Sequence, residues 1–215
     1  MEKTEKKRGK FIAFEGIDGS GKSTQVLKLT ERLRKEGVAV HQTFEPTDGP
    51  IGRMIRDIFS HKMKADHRTI AGLFVADRLH HLLEPENGVL KFLDEGSHVV
   101  MDRYLFSSYA YQGAHVDMEW VISANAESAR ILQPDLYVFI DLEPSKALER
   151  LAAGRSELEI FETRENLRMV YDQYRIVLDR FGDRHNILRV DGDRSPETVA
   201  QEIWETVHPL ISSGR

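Results

Sequence analysis

Residues 16–23 read Gly16-Ile17-Asp18-Gly19-Ser20-Gly21-Lys22-Ser23 and match GxxxxGK[ST] without a mismatch. That pattern functions in one setting, between a strand and the start of a helix. The setting is present: an apolar run, Phe11–Glu15, precedes it and a helical pattern starts at Ser23. The glycines let the backbone curl until successive N–H groups face one anion. The helix that follows adds its unpaired donors and the positive end of its dipole. Lys22 is then expected to reach the β- and γ-phosphates of a nucleotide, and the Ser23 hydroxyl to bind Mg²⁺, with Thr24 continuing the cradle.

The rest of the chain agrees with such a loop. Short apolar runs alternate with longer helical patterns, the arrangement of βαβ units around a parallel sheet. Strands are expected at Phe11–Glu15, Val38–Phe44, His98–Met101, Leu136–Asp141 and Asn186–Val190. Most are near-continuous apolar runs, as strands covered on both faces should be. Between them, Val26, Leu29 and Leu33 form a helical stripe ending at Gly37. Leu167, Val170, Tyr171, Tyr174, Leu178 and Phe181 keep helical spacing, and Ser195-Pro196 opens a helix carrying Val199, Ile203 and Val207. The expected fold class is α/β, a three-layer P-loop fold with a five-stranded parallel sheet flanked by helices. Residues 1–10 are expected to be a tail and 11–215 one domain.

Composition narrows the function. A net charge of −5 argues against a nucleic-acid partner. The absence of cysteine excludes zinc-thiolate sites and thiol nucleophiles, and the nine histidines show no metal-ligand spacing. No apolar run approaches a membrane span and no signal-type stretch follows the basic leader, so the cytoplasm is the expected location. A GTPase would need a guanine-reading NKxD segment, which the chain lacks. The third strand instead runs into Asp102-Arg103-Tyr104. Asp102, at the carboxyl end of a parallel strand, is placed to hold a metal water, and Arg103 can bridge two phosphates with its planar fork.

With these residues in view the chain resembles thymidylate kinase from Phe11 to its last helix. The matching landmarks are FEGIDGSGKST (14–24), EPTDGPIG (45–52), LFVADR (73–78), DRYLFSSYAYQG (102–113), QPDLYVFIDLEP (133–144) and ERLAAGRSELEIFE (149–162). The resemblance implies ATP as co-substrate, Mg²⁺ as the metal, dTMP as the acceptor and a homodimer. It implies that Phe74 stacks on thymine and Arg78, four residues on, donates to a thymine carbonyl. Tyr111 would pack on the deoxyribose, Ser108 and Gln112 would meet the base, and Asp18 would hold the 3′-hydroxyl.

Two departures stand out. Many relatives carry an arginine immediately before the Glu-Pro pair, whereas Phe44 precedes Glu45 here. Arg53 or Arg78 is the expected substitute, with Glu45 itself close to the acceptor. Some relatives place an arginine in the loop where this chain has Gly19; in its stead Arg155, in a lid at about 149–162, is expected to be catalytic with Lys22, Arg103 and Asp102. A phosphate monoester has a second pKa of about 6, so the acceptor oxygen is already anionic and no general base is required. The rival is a deoxynucleoside kinase, whose hydroxyl acceptor does need a base, with Glu45 standing where one could be. A monophosphate kinase for another pyrimidine and a non-catalytic nucleotide-binding module are the further alternatives.

Overall fold

Alternation along the first strand divides the interior in two. The structure, a computed structural model, describes residues 7–154 and 163–212. In β1 (Phe11–Glu15) the side chains of Phe11 and Ala13 enter one apolar cluster, and those of Ile12 and Phe14 enter another on the opposite face. The chain continues through α1 (Lys22–Lys35), β2 (Val40–Phe44), α2 (Pro50–Phe59), α3 (His67–Leu83), α4 (Val89–Asp94) and β3 (His98–Asp102). It then forms α5 (Leu105–Tyr111), α6 (Met118–Ala124), α7 (Ala126–Ile131), β4 (Leu136–Asp141), α8 (Pro144–Gly154), α9 (Arg164–Phe181), β5 (Ile187–Asp191) and α10 (Pro196–Ser212).

The strands form one parallel sheet in the order β2-β3-β1-β4-β5. Helices α1 and α10 cover one face through Val26, Leu29, Leu33, Val199, Ile203 and Val207. The other face is covered from α5 and α9, by residues such as Phe106, Val170 and Tyr174. The chain therefore leaves β1 toward one face and leaves β3 toward the other. Neighbouring strands whose connections diverge in this way open a crevice at their carboxyl ends, and that crevice is the ligand position of open α/β sheets.

All five strand expectations correspond to strands, with edges shifted for local reasons. β2 starts at Val40 rather than Val38, because Val38 is used to close α1. Gly37 takes a left-handed φ of 73°, its N–H donates to Arg34 O at 3.0 Å, and the Val38 N–H donates to Leu33 O at 3.0 Å. That pair is a Schellman closure, and it withholds Val38 from the sheet ladder. β3 extends through Asp102, which is in register with Phe14 on one side and Phe44 on the other. β5 is displaced by one residue. The last helix is capped as read: Thr198 N–H donates to Ser195 Oγ at 3.2 Å. Leu167 and Tyr174 are fully enclosed, so that face of α9 is core. Among the described residues no helix is long and apolar enough to cross a membrane.

Ile203 is 1% exposed at the centre of the α1–α10 face. Ile203→Ala is expected to cost about 2–5 kcal/mol of stability. A urea denaturation midpoint lowered at unchanged slope would show it.

Candidate active site

The loop between β1 and α1 makes the first half of the crevice. Gly19 sits at φ 77°, and a Cβ there would come within 2.5 Å of Ala147 O, so conformation and space both require glycine. The Lys22 ammonium folds back on the loop and donates to Ile17 O at 2.8 Å. Burial lowers the Lys22 pKa to about 8, aided by the nearby Arg103 charge and opposed by Asp102 and Asp18. Ser23 and Thr24 are exposed at the mouth of the loop. These residues, with Asp102, Arg103, Arg150 and Gly192, line a cleft of about 760 Å³.

Asp102 and Arg103 come from the neighbouring strand end. The Ser23 hydroxyl donates to Asp102 Oδ2 at 2.6 Å, while Oδ1 is buried and has no hydrogen-bond partner among the described residues. A hydroxyl and a carboxylate with one unused oxygen suit Mg²⁺, which keeps most of its ligands as water and phosphate oxygens. No cluster of three or more histidine or carboxylate side chains suited to a metal occurs among the described residues. Arg103 has a left-handed φ of 71°. Its Nη2 donates to Asp18 Oδ1 at 2.5 Å and to the Tyr111 hydroxyl at 3.1 Å; its Nη1 donates to Ser107 Oγ at 3.2 Å and Gly16 O at 3.3 Å. Tyr111 in turn donates to Asp18 Oδ2 at 2.8 Å and accepts from the Asp18 backbone N–H at 2.8 Å. Burial works against the Asp18 charge, but Arg103 and Lys22 outweigh it and hold its carboxyl below the usual range.

A second pocket of about 230 Å³ adjoins the cleft and shares Asp18, Phe44, Glu45 and Arg103 with it. Its walls include Phe74, Phe59, Ser108, Tyr111 and Gln112. The Phe59 and Phe74 rings lie 6.1 Å apart at 38°. The Gln112 side-chain oxygen is buried without a hydrogen-bond partner among the described residues. Arg78, 1% exposed, is heavily engaged: Nε and Nη2 hold Glu45 Oε2 at 2.8 and 2.7 Å, Nη1 donates to Asn125 Oδ1, and Nη2 also donates to Ser108 Oγ at 3.0 Å and Tyr104 O at 3.2 Å. Little of its donor capacity is left for a bound molecule.

Glu45 is equally committed. His81 Nδ1 lies 3.3 Å from Oε1, and Arg78 takes Oε2. Burial favours the neutral carboxyl, yet the Arg78 guanidinium and His81 overcome it and lower the pKa. A base needs a free, more basic oxygen, and Glu45 has neither.

The sequence-derived residues thus fall in two groups. Lys22, Asp18, Ser23, Asp102, Arg103, Phe74, Ser108, Tyr111 and Gln112 gather around the two adjoining cavities. Arg53 does not: it donates to Asp48 O at 2.8 Å and lines neither of them. The cation on that wall is Arg56, one turn further along α2, which donates to Pro46 O at 2.8 Å and pairs with Asp48 at 3.1 Å. Arg56 and Phe59 are three apart on α2, and Phe59 meets Phe74, a contact between helices that the spacing alone does not reveal. Arg155 lies outside the described residues, as does most of the expected lid. Arg150 lines the cleft and donates to Gly192 O at 2.9 Å. Asn125 and His81, which fix Arg78 and Glu45, were not anticipated.

The family model for thymidylate kinase matches residues 14–203. A thymidylate kinase of Leptospira borgpetersenii serovar Hardjo-bovis is 34% identical over 91% of this chain and 91% of its own length. One from Caldicellulosiruptor saccharolyticus is 35% identical over 95% and 98%, and one from Akkermansia muciniphila 37% over 94% and 93%.

An anion bound beside Lys22 stabilises its ammonium form and raises its pKa above about 8, so binding at slightly alkaline pH takes up a proton. Calorimetric titration with ADP near pH 8.5, in buffers of different ionisation enthalpy, is expected to show uptake of a large fraction of one proton. The uptake should vanish well below pH 8 and be absent in Lys22→Ala.

Proposed function

Because the chain belongs to the thymidylate kinase family and is therefore an ATP-dependent phosphotransferase, we propose that it catalyses ATP + dTMP → ADP + dTDP. The observation that carries this reading is the Arg103 fork at the boundary shared by a loop-lined cleft and an aromatic pocket. ATP phosphates lie along Gly16–Thr24, with Lys22 on the β- and γ-groups. Ser23 and Asp102 would hold Mg²⁺, which supplies charge neutralisation there. dTMP occupies the pocket, its thymine against Phe74 and within reach of Gln112, its sugar between Tyr111 and Asp18.

An oxygen of the dTMP phosphate attacks the γ-phosphorus, and the bond to the β–γ bridging oxygen breaks, releasing ADP. The nucleophile is already an anion, so no side chain need remove a proton. What the protein must offset is the repulsion between two polyanions. Lys22 and Arg103 do so at the junction, Arg56 takes the acceptor-side role expected of Arg53 or Arg78, and Arg155 serves from the lid at about 149–162. Residues 11–215 act as one kinase domain in a cytoplasmic homodimer. The lowered pKa and full engagement of Glu45 support a phosphate acceptor over a hydroxyl one.

Lys22→Ala and Arg103→Ala are each expected to lower kcat about 10²–10³-fold in folded protein, the scale of one positioned charge at a developing negative centre. Coupled ADP-release assays would measure it, and retention of activity within about tenfold of the parent would remove these residues from the transfer step. In the same assay Arg56→Ala should raise the dTMP KM at least about tenfold, one lost charged hydrogen bond. Thymidine should release no ADP above the ATP-only background; efficient use of it would return Glu45 to the role of base.

A further inference from the structure

Glu15, the last residue of β1, has no part in the chemistry above, yet it is wholly buried and saturated with donors. Oε1 accepts the backbone N–H groups of Tyr104 and Phe106, both at 3.1 Å. Oε2 accepts the Ser107 hydroxyl at 2.5 Å and the Tyr174 hydroxyl at 3.1 Å. Three of these four donors belong to the turn that immediately follows Arg103. Arg103 itself holds a left-handed φ of 71°, which a residue with a side chain keeps only where its surroundings dictate it. Its own N–H is tied to Phe14 O at 2.9 Å, so consecutive residues of β1 grip the turn from both sides of Arg103.

The link also reaches the guanidinium. Ser107 has one proton and two lone pairs. With the proton committed to Glu15, one lone pair accepts from Arg103 Nη1 at 3.2 Å and the other faces the Tyr174 hydroxyl at 2.8 Å. The carboxylate thereby sets the direction in which the Ser107 hydroxyl points. Burial raises the Glu15 pKa, with the Ser107 hydroxyl and the Arg103 charge opposing. An amide of the same shape would keep the two backbone bonds but place an N–H₂ where Oε2 stands. Ser107 would then have to turn a lone pair toward Gln, in competition with Arg103.

We infer that Glu15 is a positioning residue for phosphoryl transfer, acting through Ser107 and the following turn to hold the Arg103 fork against Asp18. The inference rests on the assignment of Arg103 to the transfer step. It differs from a plain role in burying the α5 terminus, which would loosen the fold without singling out one side chain.

The test is a double-mutant cycle. Glu15→Gln is expected to lower kcat about 10–100-fold while KM for ATP and dTMP stays within about threefold. In an Arg103→Lys background, which has no fork to orient, the same change should cost less than about twofold. Ser107→Ala should show the same dependence on Arg103, and it stands in if Glu15→Gln fails to fold by thermal unfolding. An equal kcat loss in both backgrounds, or a folded Glu15→Gln enzyme with the parent kcat, overturns the inference. Should Arg103→Lys alone keep the parent kcat, the transfer role of Arg103 falls first and the inference with it.

Discussion

The ion pair between Arg103 and Asp18 is the contact on which the geometry of the site turns. It joins the loop after β1 to the segment after β3 at the place where the chain leaves those strands for opposite faces of the sheet. Both residues border both cavities. Both are mostly enclosed, with 17% and 29% of the side chains exposed, so the cost of desolvating two charges offsets much of their attraction and the pair is no large source of stability. Its value is orientational. Tyr111 hydrogen-bonds both partners and lies under the guanidinium at 4.6 Å, so the fork has a defined plane.

Legibility in the sequence followed the range over which each feature is encoded. The loop 16–23 could be read because glycine spacing, lysine and the flanking strand and helix lie within one short segment. Asp102-Arg103 could be read because a strand and its carboxyl end are adjacent in sequence. Arg56 could not be chosen over Arg53 from the chain alone. Both sit on α2, and the difference depends on how the 45–49 segment runs back to α3, where Asp77 accepts the Thr47 N–H at 2.8 Å and its hydroxyl at 2.7 Å. Asn125 was equally out of reach, for its contact with Arg78 joins residues 47 apart in the chain.

Arg78 illustrates how a motif residue can be read correctly in position and incompletely in role. The LFVADR landmark puts it beside Phe74 on α3, and it does border the aromatic pocket. What the motif could not convey is that its guanidinium ties Glu45 after β2, Ser108 of α5 and Asn125 between α6 and α7 together from the inside. Removing one partner of such a buried pair leaves an uncompensated charge, a far larger penalty than the pair's net contribution. Substitution at Arg78 therefore confounds stability with substrate recognition in a way that substitution at Gln112 does not.

Two glutamates at strand ends meet opposite electrostatic surroundings. Glu15 ends β1 and Glu45 follows β2; both are enclosed, and burial alone would favour the neutral form of each. Glu45 meets a guanidinium directly and is driven below the ordinary carboxylate range. Glu15 meets neutral donors, with its nearest arginine one hydroxyl away, and is driven above it. A proton acceptor for catalysis would need the basicity of the second with an exposed oxygen, and neither glutamate combines them. The two acids at the strand ends thus serve as struts for arginines, which is the use to be expected where the incoming nucleophile is itself an anion and the protein's task is to hold positive charge in place.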